Sequence, residues 1–211
     1  VIGAASTLEG EVSARERERA VAMIKSCSEN LLAIVNDVLD LSKIEAGRMV
    51  LALQPFSLRD CVEDTLELYS YQLGERPIDL SYWMDPSLPL RVNGDGHRLQ
   101  QVLINLVGNA LKFTSQGEVS IVVKVISSKV GSLQVAIDVT DTGRGIPADQ
   151  LDNLFNAYIQ AHDDSQVAVK GTGLGLTISK QLVALMHGDI QVSSKVGSGT
   201  RFTISLPLGT E

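Results

Sequence analysis

The chain has 211 residues, of which 44% are hydrophobic and 20% are charged, so it is long enough for a buried core and has the composition of a soluble globular protein. Its formal net charge of −7 argues against a nucleic-acid-binding surface, because phosphate contacts require lysine and arginine. The two cysteines lack metal or redox spacing and no apolar run reaches membrane-spanning length, so we expect a cytoplasmic segment without membrane contact.

A long helix is predicted from Ser13 to Ala46, where "SARE" has the spacing of a capping box at its start. Apolar residues recur along it at alternating four- and three-residue steps, and a second apolar row runs beside them. The first row consists of Ala20, Ile24, Cys27, Leu31, Ile34, Val38 and Leu41, and the second of Leu32, Val35 and Leu39. So wide a stripe favours a four-helix bundle, although a helix packed on its own domain would also produce it.

The upstream stretch "VIGAASTL" reads as the last turns of an earlier helix, joined to this one through "EGEV". Residues 1–47 are therefore predicted to form a helical hairpin, and two chains would complete the bundle as a homodimer. Residues 48–211 are predicted to form a second domain, because strands and helices alternate after Gly47.

The predicted elements of the second domain come in the order of an α+β fold. Strands "MVLAL" and "PIDLSYWM" enclose a helix from Leu58 to Leu73 capped by Ser57, and a second helix runs from His97 to Phe113. Strands "EVSIVVKVI" and "SLQVAIDVTD" follow, then a short helix near Gln150 to Gln160, a glycine loop whose helix reaches Met186, and the hairpin "DIQVSSKVGSGTRFTISLPL". This order predicts a two-layer α/β sandwich, in which one mixed sheet is covered on one face by three helices.

The helix from His97 to Phe113 has an apolar side and a polar side. The polar side carries Arg98, Gln101, Asn105, Asn109 and Lys112. A solvated surface would explain Arg98 and Gln101, but asparagine is a poor helix former, and Asn105 and Asn109 lie one turn apart. Amide oxygens are ligands suited to Mg²⁺, and Lys112 beside them can meet a phosphate charge, so this side is a predicted metal–phosphate site.

The stretch "DVTDTGRGIP" brings Asp141 to the end of an apolar strand, followed by Gly143 and Gly145 in a tight turn. A carboxylate beside open glycine backbone can accept a hydrogen bond from an exocyclic amine such as that of adenine. By itself such a turn is more often an ordinary loop. The stretch "GSGTRFTISLPL", in which glycines precede Thr200, is likewise a hairpin turn when taken alone.

The stretch "KGTGLGLTISKQL" has three alternating glycines, Gly171, Gly173 and Gly175, that lead into a helix. Bare backbone N–H groups and a helix N-terminus both favour an anion, so this loop is a candidate phosphate site. Its spacing differs from the G-x-G-x-x-G fingerprint of dinucleotide sites. It also differs from the Walker loop, because no Lys-Ser or Lys-Thr follows the glycines.

Five motifs, in this order, resemble the N, G1, F, G2 and G3 boxes of the histidine kinases of two-component signalling: "NLVGNALKF", "DTGRGI", "LFNAYIQ", "GTGLGL" and "GSGTRF". The upstream "VNDVLDLSKIEAGRM" resembles the end of the dimerisation hairpin of hybrid sensor kinases. The resemblance covers essentially the whole chain. It implies the ATP fold shared by histidine kinases with gyrase-type and chaperone-type ATPases.

The resemblance implies a role in ATP binding for each matching residue. Asp141 binds the adenine amine, Asn109 holds Mg²⁺ against the phosphates, and Asn105 supports the metal or the reacting phosphoryl group. Lys112 contacts phosphate and, with Asn105, forms the implied catalytic pair. The other implied ATP-binding residues of these motifs are Phe113 and Ile146, which flank the adenine, Thr200, which lines the adenine end, and Gly143 and Gly145.

The resemblance also implies a mobile lid from about Asn156 to Lys170, anchored by Phe155 and Tyr158, although the family more often has Phe at the latter position. Lys170 reaches the γ-phosphate when the lid closes. Backbone N–H groups of the G2 box then hold the triphosphate, and these belong to Gly171, Thr172, Gly173, Leu174 and Gly175.

The chain departs from the family at the phosphate acceptor, which is a histidine in an H-E-x-[RK]-T-P setting on the first helix of the hairpin. The three histidines of this chain, His97, His162 and His187, lack that setting, and none lies on the hairpin. The stretch "VIGAASTL" resembles what directly follows the acceptor motif, so the acceptor is expected before Val1. This chain is then expected not to autophosphorylate.

The activity implied by the resemblance is transfer of the γ-phosphoryl group of Mg-ATP to a histidine, for relay to the aspartate of a response-regulator receiver domain. A pseudokinase that only binds nucleotide or only dimerises is one alternative. An ATP hydrolase of the same fold is another. It would require a glutamate base where this chain has Asn105, and an amide cannot accept a proton from water.

Overall fold

A computed structural model describes residues 13–156 and 173–210 of the protein. The chain divides into two compact units, Val1–Met49 and Val50–Glu211. Helix α1 (Ala14–Glu45) is the described helix of the first unit. The earlier helix predicted at "VIGAASTL" lies outside the described residues.

Helix α1 is capped at both ends. Glu16 N donates to Ser13 Oγ at 3.3 Å and Ser13 N donates to Glu16 Oε2 at 2.9 Å, which confirms the predicted capping box. At the other end Gly47 has a φ of +63°, and its N–H donates to the carbonyl of Ile44 at 2.9 Å. Glycine adopts this left-handed conformation without steric conflict, so the helix ends here.

The apolar stripe of α1 lies largely on the surface. Leu31 is 59% exposed and Ile34 is 41% exposed, and the second row, Leu32, Val35 and Leu39, is exposed as well. Ala20 and Leu41, at the two ends of the first row, are buried. An exposed apolar surface of this length is typical of a helix face that another protein segment covers.

Within the described residues, seven strands form one mixed sheet in the second unit. They are β1 (Gln54–Phe56), β2 (Ile78–Met84), β3 (Val92–Gly94), β4 (Gly117–Lys129), β5 (Ser132–Asp141), β6 (Asp189–Lys195) and β7 (Gly199–Gly209). The strand order is β1-β3-β7-β5-β4-β2, and β6 also pairs with β7. Strands β2 and β4 run parallel, and the other pairs are antiparallel.

The helices of this unit are α2 (Leu58–Leu73), α3 (Gly96–Phe113), the short α4 (Ala148–Leu151) and α5 (Gly175–Leu185). Helix α3 packs between α2 and α5 and contacts β4 and β5. Alternate residues of β4, namely Val119, Ile121 and Val123, are fully buried, as period-two alternation requires of a sheet with one covered face. The predicted two-layer sandwich with three covering helices is confirmed.

One strand prediction and one helix boundary are wrong, and the short strands β1 and β3 were not predicted. Residues 49–53 ("MVLAL") form no strand, because Ala52 N donates to the Asp95 carboxylate at 2.9 Å instead of to a strand partner. Strand β3 was not predicted, since three residues are too few for an alternating pattern. The helix predicted near Gln150 to Gln160 spans only Ala148–Leu151, and no side chain caps its start at Pro147. The last four predicted residues lie outside the described ranges.

Candidate functional site

Helix α3 begins at a fixed point because the Asp95 carboxylate binds two backbone N–H groups. Asp95 Oδ1 accepts from Arg98 N at 3.0 Å, and its Oδ2 accepts the bond from Ala52. The apolar side of the helix is buried, as the sequence predicts. The predicted residues Asn105 and Asn109 are half-buried, and Asn105 reaches α5.

The two asparagine amides form a hydrogen-bonded chain with Ser179. Asn105 Nδ2 donates to Ser179 Oγ at 2.8 Å, and Asn109 Nδ2 donates to Asn105 Oδ1 at 3.4 Å. A side chain at Gly175 would overlap the Asn105 amide, so the glycine that opens α5 allows this close approach. The amides therefore lie beside the N-terminus of α5, where an anion is favoured.

Lys112 and Phe113 lie at the C-terminal end of α3, in an open depression with two further cations. Lys112 Nζ is 5.1 Å from the centre of the Phe113 ring, and Arg144 Cζ is 4.7 Å from it. Burial lowers the pKa of Lys112, and the positive charge of Arg144 lowers it further. Arg76 lines the same depression, which also includes Thr114 and Ser115.

Arg76 ties down the end of α3. Its Nη2 donates to the carbonyl of Leu111 at 2.8 Å and to that of Thr114 at 2.7 Å. These carbonyls belong to the last turn and the cap, which have no partners within the helix. Sequence reasoning missed Arg76, because "GERP" is a plain turn, and it noted Arg144 only as part of a glycine motif.

Asp141 ends strand β5 as a buried carboxylate, 7% exposed. Its Oδ1 accepts from Gly143 N at 2.8 Å. Burial raises the pKa of Asp141, and hydrogen bonds from the backbone of Gly143 and Thr200 oppose that rise. A Cβ at Gly143 would lie 2.8 Å from Thr114 Oγ1 and 2.9 Å from Asp141 Oδ1, so only glycine fits beside the carboxylate.

The loop after Asp141 is held against the β6–β7 hairpin. Ile146 N donates to Ser194 Oγ at 2.8 Å, and the Ser194 and Thr200 hydroxyls are 2.9 Å apart. Gly145 has a φ of +70°, and a side chain there would overlap the carbonyl of Lys195. Thr200 pairs directly with Asp141 in the sheet, so the predicted residues of the two motifs do come together. Ser194 has no signal in the sequence.

The F-box residue Phe155 lies beside α5, the helix that the G2 box begins. The Phe155 ring packs edge-on against Phe202 with ring centres 6.3 Å apart, and Thr177 Oγ1 donates to the Phe155 carbonyl at 2.9 Å. Gly173 has a φ of +71°, Leu174 is buried, and Gly175 opens the helix. The predicted site and lid residues that lie outside the described ranges are Tyr158, Lys170, Gly171 and Thr172.

Among the described residues, no helix is long and apolar enough to cross a membrane. The same residues contain no group of at least three His, Cys, Asp or Glu side chains arranged for a metal ion. Two of the three histidines are described. His97 lies exposed in the first turn of α3, and His187 lies exposed in the turn after α5.

Two family models match the chain. The model of histidine kinase-, DNA gyrase B-, and HSP90-like ATPases matches residues 94–210, and that of the His Kinase A (phospho-acceptor) domain matches residues 1–47. Hybrid signal transduction histidine kinase B of Dictyostelium discoideum is 36% identical over 99% of this chain and 11% of its own length. The histidine-protein kinase BarA of Escherichia coli strain K12 is 38% identical over 96% of this chain and 22% of its own length. The chain thus spans between a tenth and a quarter of the length of these relatives.

Solved structures have the same fold. Full-length ShkA in complex with AMPPNP matches with a TM-score of 0.77 and 30% identity, over 96% of this chain and 41% of that one. The histidine kinase ThkA in complex with the response regulator protein TrrA matches with a TM-score of 0.66 and 24% identity, over 93% of this chain and 53% of that one. The chain therefore belongs to the histidine kinase-, DNA gyrase B- and HSP90-like ATPases and, with a phospho-acceptor match ahead of the ATPase match, to the two-component sensor histidine kinases.

Proposed function

We propose that residues of α3, the loop after β5 and the start of α5 bind Mg-ATP, as the nucleotide site of a kinase that phosphorylates a histidine. The observation that carries the proposal is Asp141, a buried carboxylate held by its own loop and paired with Thr200. The backbone of Gly143 and Thr200 donates to this carboxylate, but a carboxylate has about four acceptor positions, so it can accept a further hydrogen bond from a ligand. The AMPPNP complex of ShkA, a protein of the same fold, supports a nucleotide as the ligand that supplies this further donor.

The adenine end of the proposed site follows from the chemistry of Asp141. Its carboxylate accepts a hydrogen bond from the exocyclic amine of adenine, whereas guanine presents an oxygen at the same ring position and repels it. Phe113 and Ile146 flank the base, and Thr200 lines the pocket beside Asp141. Gly143 and Gly145 keep the backbone close to the base because neither position has room for a side chain.

The phosphate end of the proposed site lies between α3 and α5. The neutral amide oxygens of Asn105 and Asn109 suit Mg²⁺, which needs few protein ligands because water and phosphate oxygens complete its shell. When bound, Mg²⁺ neutralises phosphate charge. Asn109 would hold the ion, Asn105 would support it or the reacting phosphoryl group, and Lys112 would contact phosphate, with Lys170 as a further cation.

Backbone N–H groups complete this end. Gly173, Leu174 and Gly175, with Gly171 and Thr172 before them, would donate to the triphosphate at the start of the eleven-residue helix α5.

The proposed reaction is transfer of the γ-phosphoryl group to a histidine and onward to an aspartate of a response-regulator receiver domain. The names of the relatives and the ThkA–TrrA complex support this relay. We assign the acceptor role to none of the three histidines of this chain. ATP hydrolysis is disfavoured, because Asn105 cannot act as a base. A pseudokinase is disfavoured by the amides and cations gathered at the site.

The test of this proposal is base selectivity. Isothermal titration calorimetry should give a lower Kd for Mg-ATP than for Mg-GTP. In Asp141→Asn the ratio of the two Kd values should fall by about tenfold or more. Asp138→Asn is the matched control. Asp138 is a buried carboxylate of the same strand, but it bonds to Lys124 at 3.1 Å and to Thr203 at 2.7 Å. Equal affinity for the two nucleotides in wild type would refute the adenine site.

A further inference from the structure

Ser179 is a buried polar residue that lies outside the box motifs of the sequence. It occupies α5, one turn after Gly175, and is 2% exposed. Its hydroxyl oxygen accepts a hydrogen bond from Asn105 Nδ2 at 2.8 Å, across the contact between α5 and α3. A fully buried hydroxyl that touches a proposed site residue is a candidate for setting how that residue is oriented.

The Asn105 amide uses both of its ends, its nitrogen toward Ser179 and its oxygen toward Asn109. Its Nδ2 donates to Ser179 Oγ at 2.8 Å, and its Oδ1, which lies beside Gly175, accepts from Asn109 Nδ2 at 3.4 Å. Because Asn109 donates from its nitrogen, its own oxygen is left for another partner. Asn109 Oδ1 is therefore directed away from Asn105. If both amides were flipped, Asn109 would present its N–H hydrogens instead of its oxygen to a cation, and the positive charge of a metal ion disfavours that contact.

Gly175 makes this arrangement close and specific. A side chain at that position would overlap the Asn105 amide in its present place, so glycine allows the amide to lie directly against the start of α5. The start of α5 and the asparagine pair are therefore linked by direct contact as well as by the Ser179 hydrogen bond.

We propose that Ser179 is a positioning residue, whose hydroxyl holds the Asn105 amide, and through it the Asn109 amide, in the orientation that presents Asn109 Oδ1 to the divalent cation of a bound nucleotide. This inference rests on the proposed function. It predicts that Ser179 affects the metal-dependent part of nucleotide affinity and leaves the adenine contacts unchanged.

The matched pair Ser179→Thr and Ser179→Val tests the hydroxyl, because threonine and valine have nearly the same shape. Calorimetric titrations with ADP are made with excess Mg²⁺ and again with EDTA. We expect the Kd for Mg-ADP to be about three- to tenfold higher for Ser179→Val than for Ser179→Thr, because valine lacks the hydrogen bond. In EDTA the two variants should have equal Kd values for ADP. Equal Mg-ADP affinities of Thr and Val, or the same loss in EDTA, would overturn the inference.

Two further measurements separate this inference from the proposed function and from packing. Thermal melting of the nucleotide-free variants shows whether each one folds. If Ser179→Val does not fold, Ser179→Ala is used in its place. In an Asn109→Ala background the Thr–Val difference should disappear, and its persistence would show that Ser179 does not act through the amide pair. Wild type that binds neither nucleotide overturns both proposals, whereas wild type that binds Mg-ADP with no Thr–Val difference overturns this one alone.

Discussion

The Asp141 carboxylate is buried away from water at the end of β5. Burial raises its pKa in the folded chain above that of the unfolded chain, so ionisation of Asp141 destabilises the fold. This destabilisation is absent below the unfolded pKa and complete above the folded one. The group proposed to bind adenine is therefore expected to reduce stability at neutral pH.

We expect Asp141→Asn to melt at a higher temperature than wild type at neutral pH, because asparagine can still accept the Gly143 hydrogen bond without a charge. The difference should shrink as the pH falls through the folded and unfolded pKa values of the carboxyl group. Thermal melts of nucleotide-free protein between about pH 4 and 8 measure it. A gap that does not change with pH would mean that charge burial is not its cause.

His187 has a backbone conformation that favours glycine. Its φ is +60°, and it follows α5 in a hydrogen-bonded turn where His187 N donates to Ala184 O and Gly188 N to Val183 O, each at 2.9 Å. We expect His187→Gly to raise the free energy of unfolding by about 0.5–1 kcal/mol, because the Cβ conflict disappears. Urea titration measures this, and His187→Ala, which keeps the Cβ, should give no gain.

Helix α3 carries the asparagines, Lys112 and Phe113, and its end is fixed from outside by Arg76. We expect Arg76→Ala to lower the free energy of unfolding by about 1–2 kcal/mol, because two carbonyls of the last turn lose a charged donor. Denaturant titration measures the loss. Arg59→Ala is the control, since Arg59 makes an exposed ion pair with Glu63 at 3.5 Å and caps no helix carbonyl among the described residues, and a similar loss there would refute the capping role.

The sequence predicts elements whose signal is local and periodic. The capping box of Ser13 and Glu16, helix α2 with its Ser57 cap, and the long strands β4 and β5 are all predicted, because spacing and side-chain type specify them directly. The apolar run "MVLAL" has the composition of a strand, but its course depends on the distant carboxylate of Asp95. No local pattern contains that contact.

The residues of the candidate site are likewise predictable only in part. Glycines and asparagines are recognisable because their backbone and amide chemistry is unusual in the elements where they occur. No motif or unusual residue type marks Ser179, Ser194 or Arg76 in the sequence. They are noticed only when the fold brings Asn105, Ile146 and the last turn of α3 within hydrogen-bond distance.

At the scale of the whole molecule, we propose that the exposed stripe of α1 forms a homodimer. Ile34→Asp should shift the protein to monomer, because a charge in a buried helix seam is strongly unfavourable. Ala33→Asp is the control, since Ala33 is an exposed residue on the opposite side of α1. Analytical ultracentrifugation over a range of concentrations measures the mass. Wild type that remains monomeric at high concentration would contradict the dimer.

Strand β7 is the last of the described strands in chain order, yet it lies between β5 and β3 in the interior of the sheet. A ribosome delivers this strand after all of its neighbours, so the nascent unit has a gap in its sheet until β7 emerges. Thr200, which pairs with Asp141, arrives with it. We therefore expect the proposed nucleotide site to form only after β7 has emerged, and until then the unpaired edges of β5 and β3 are open to wrong pairing.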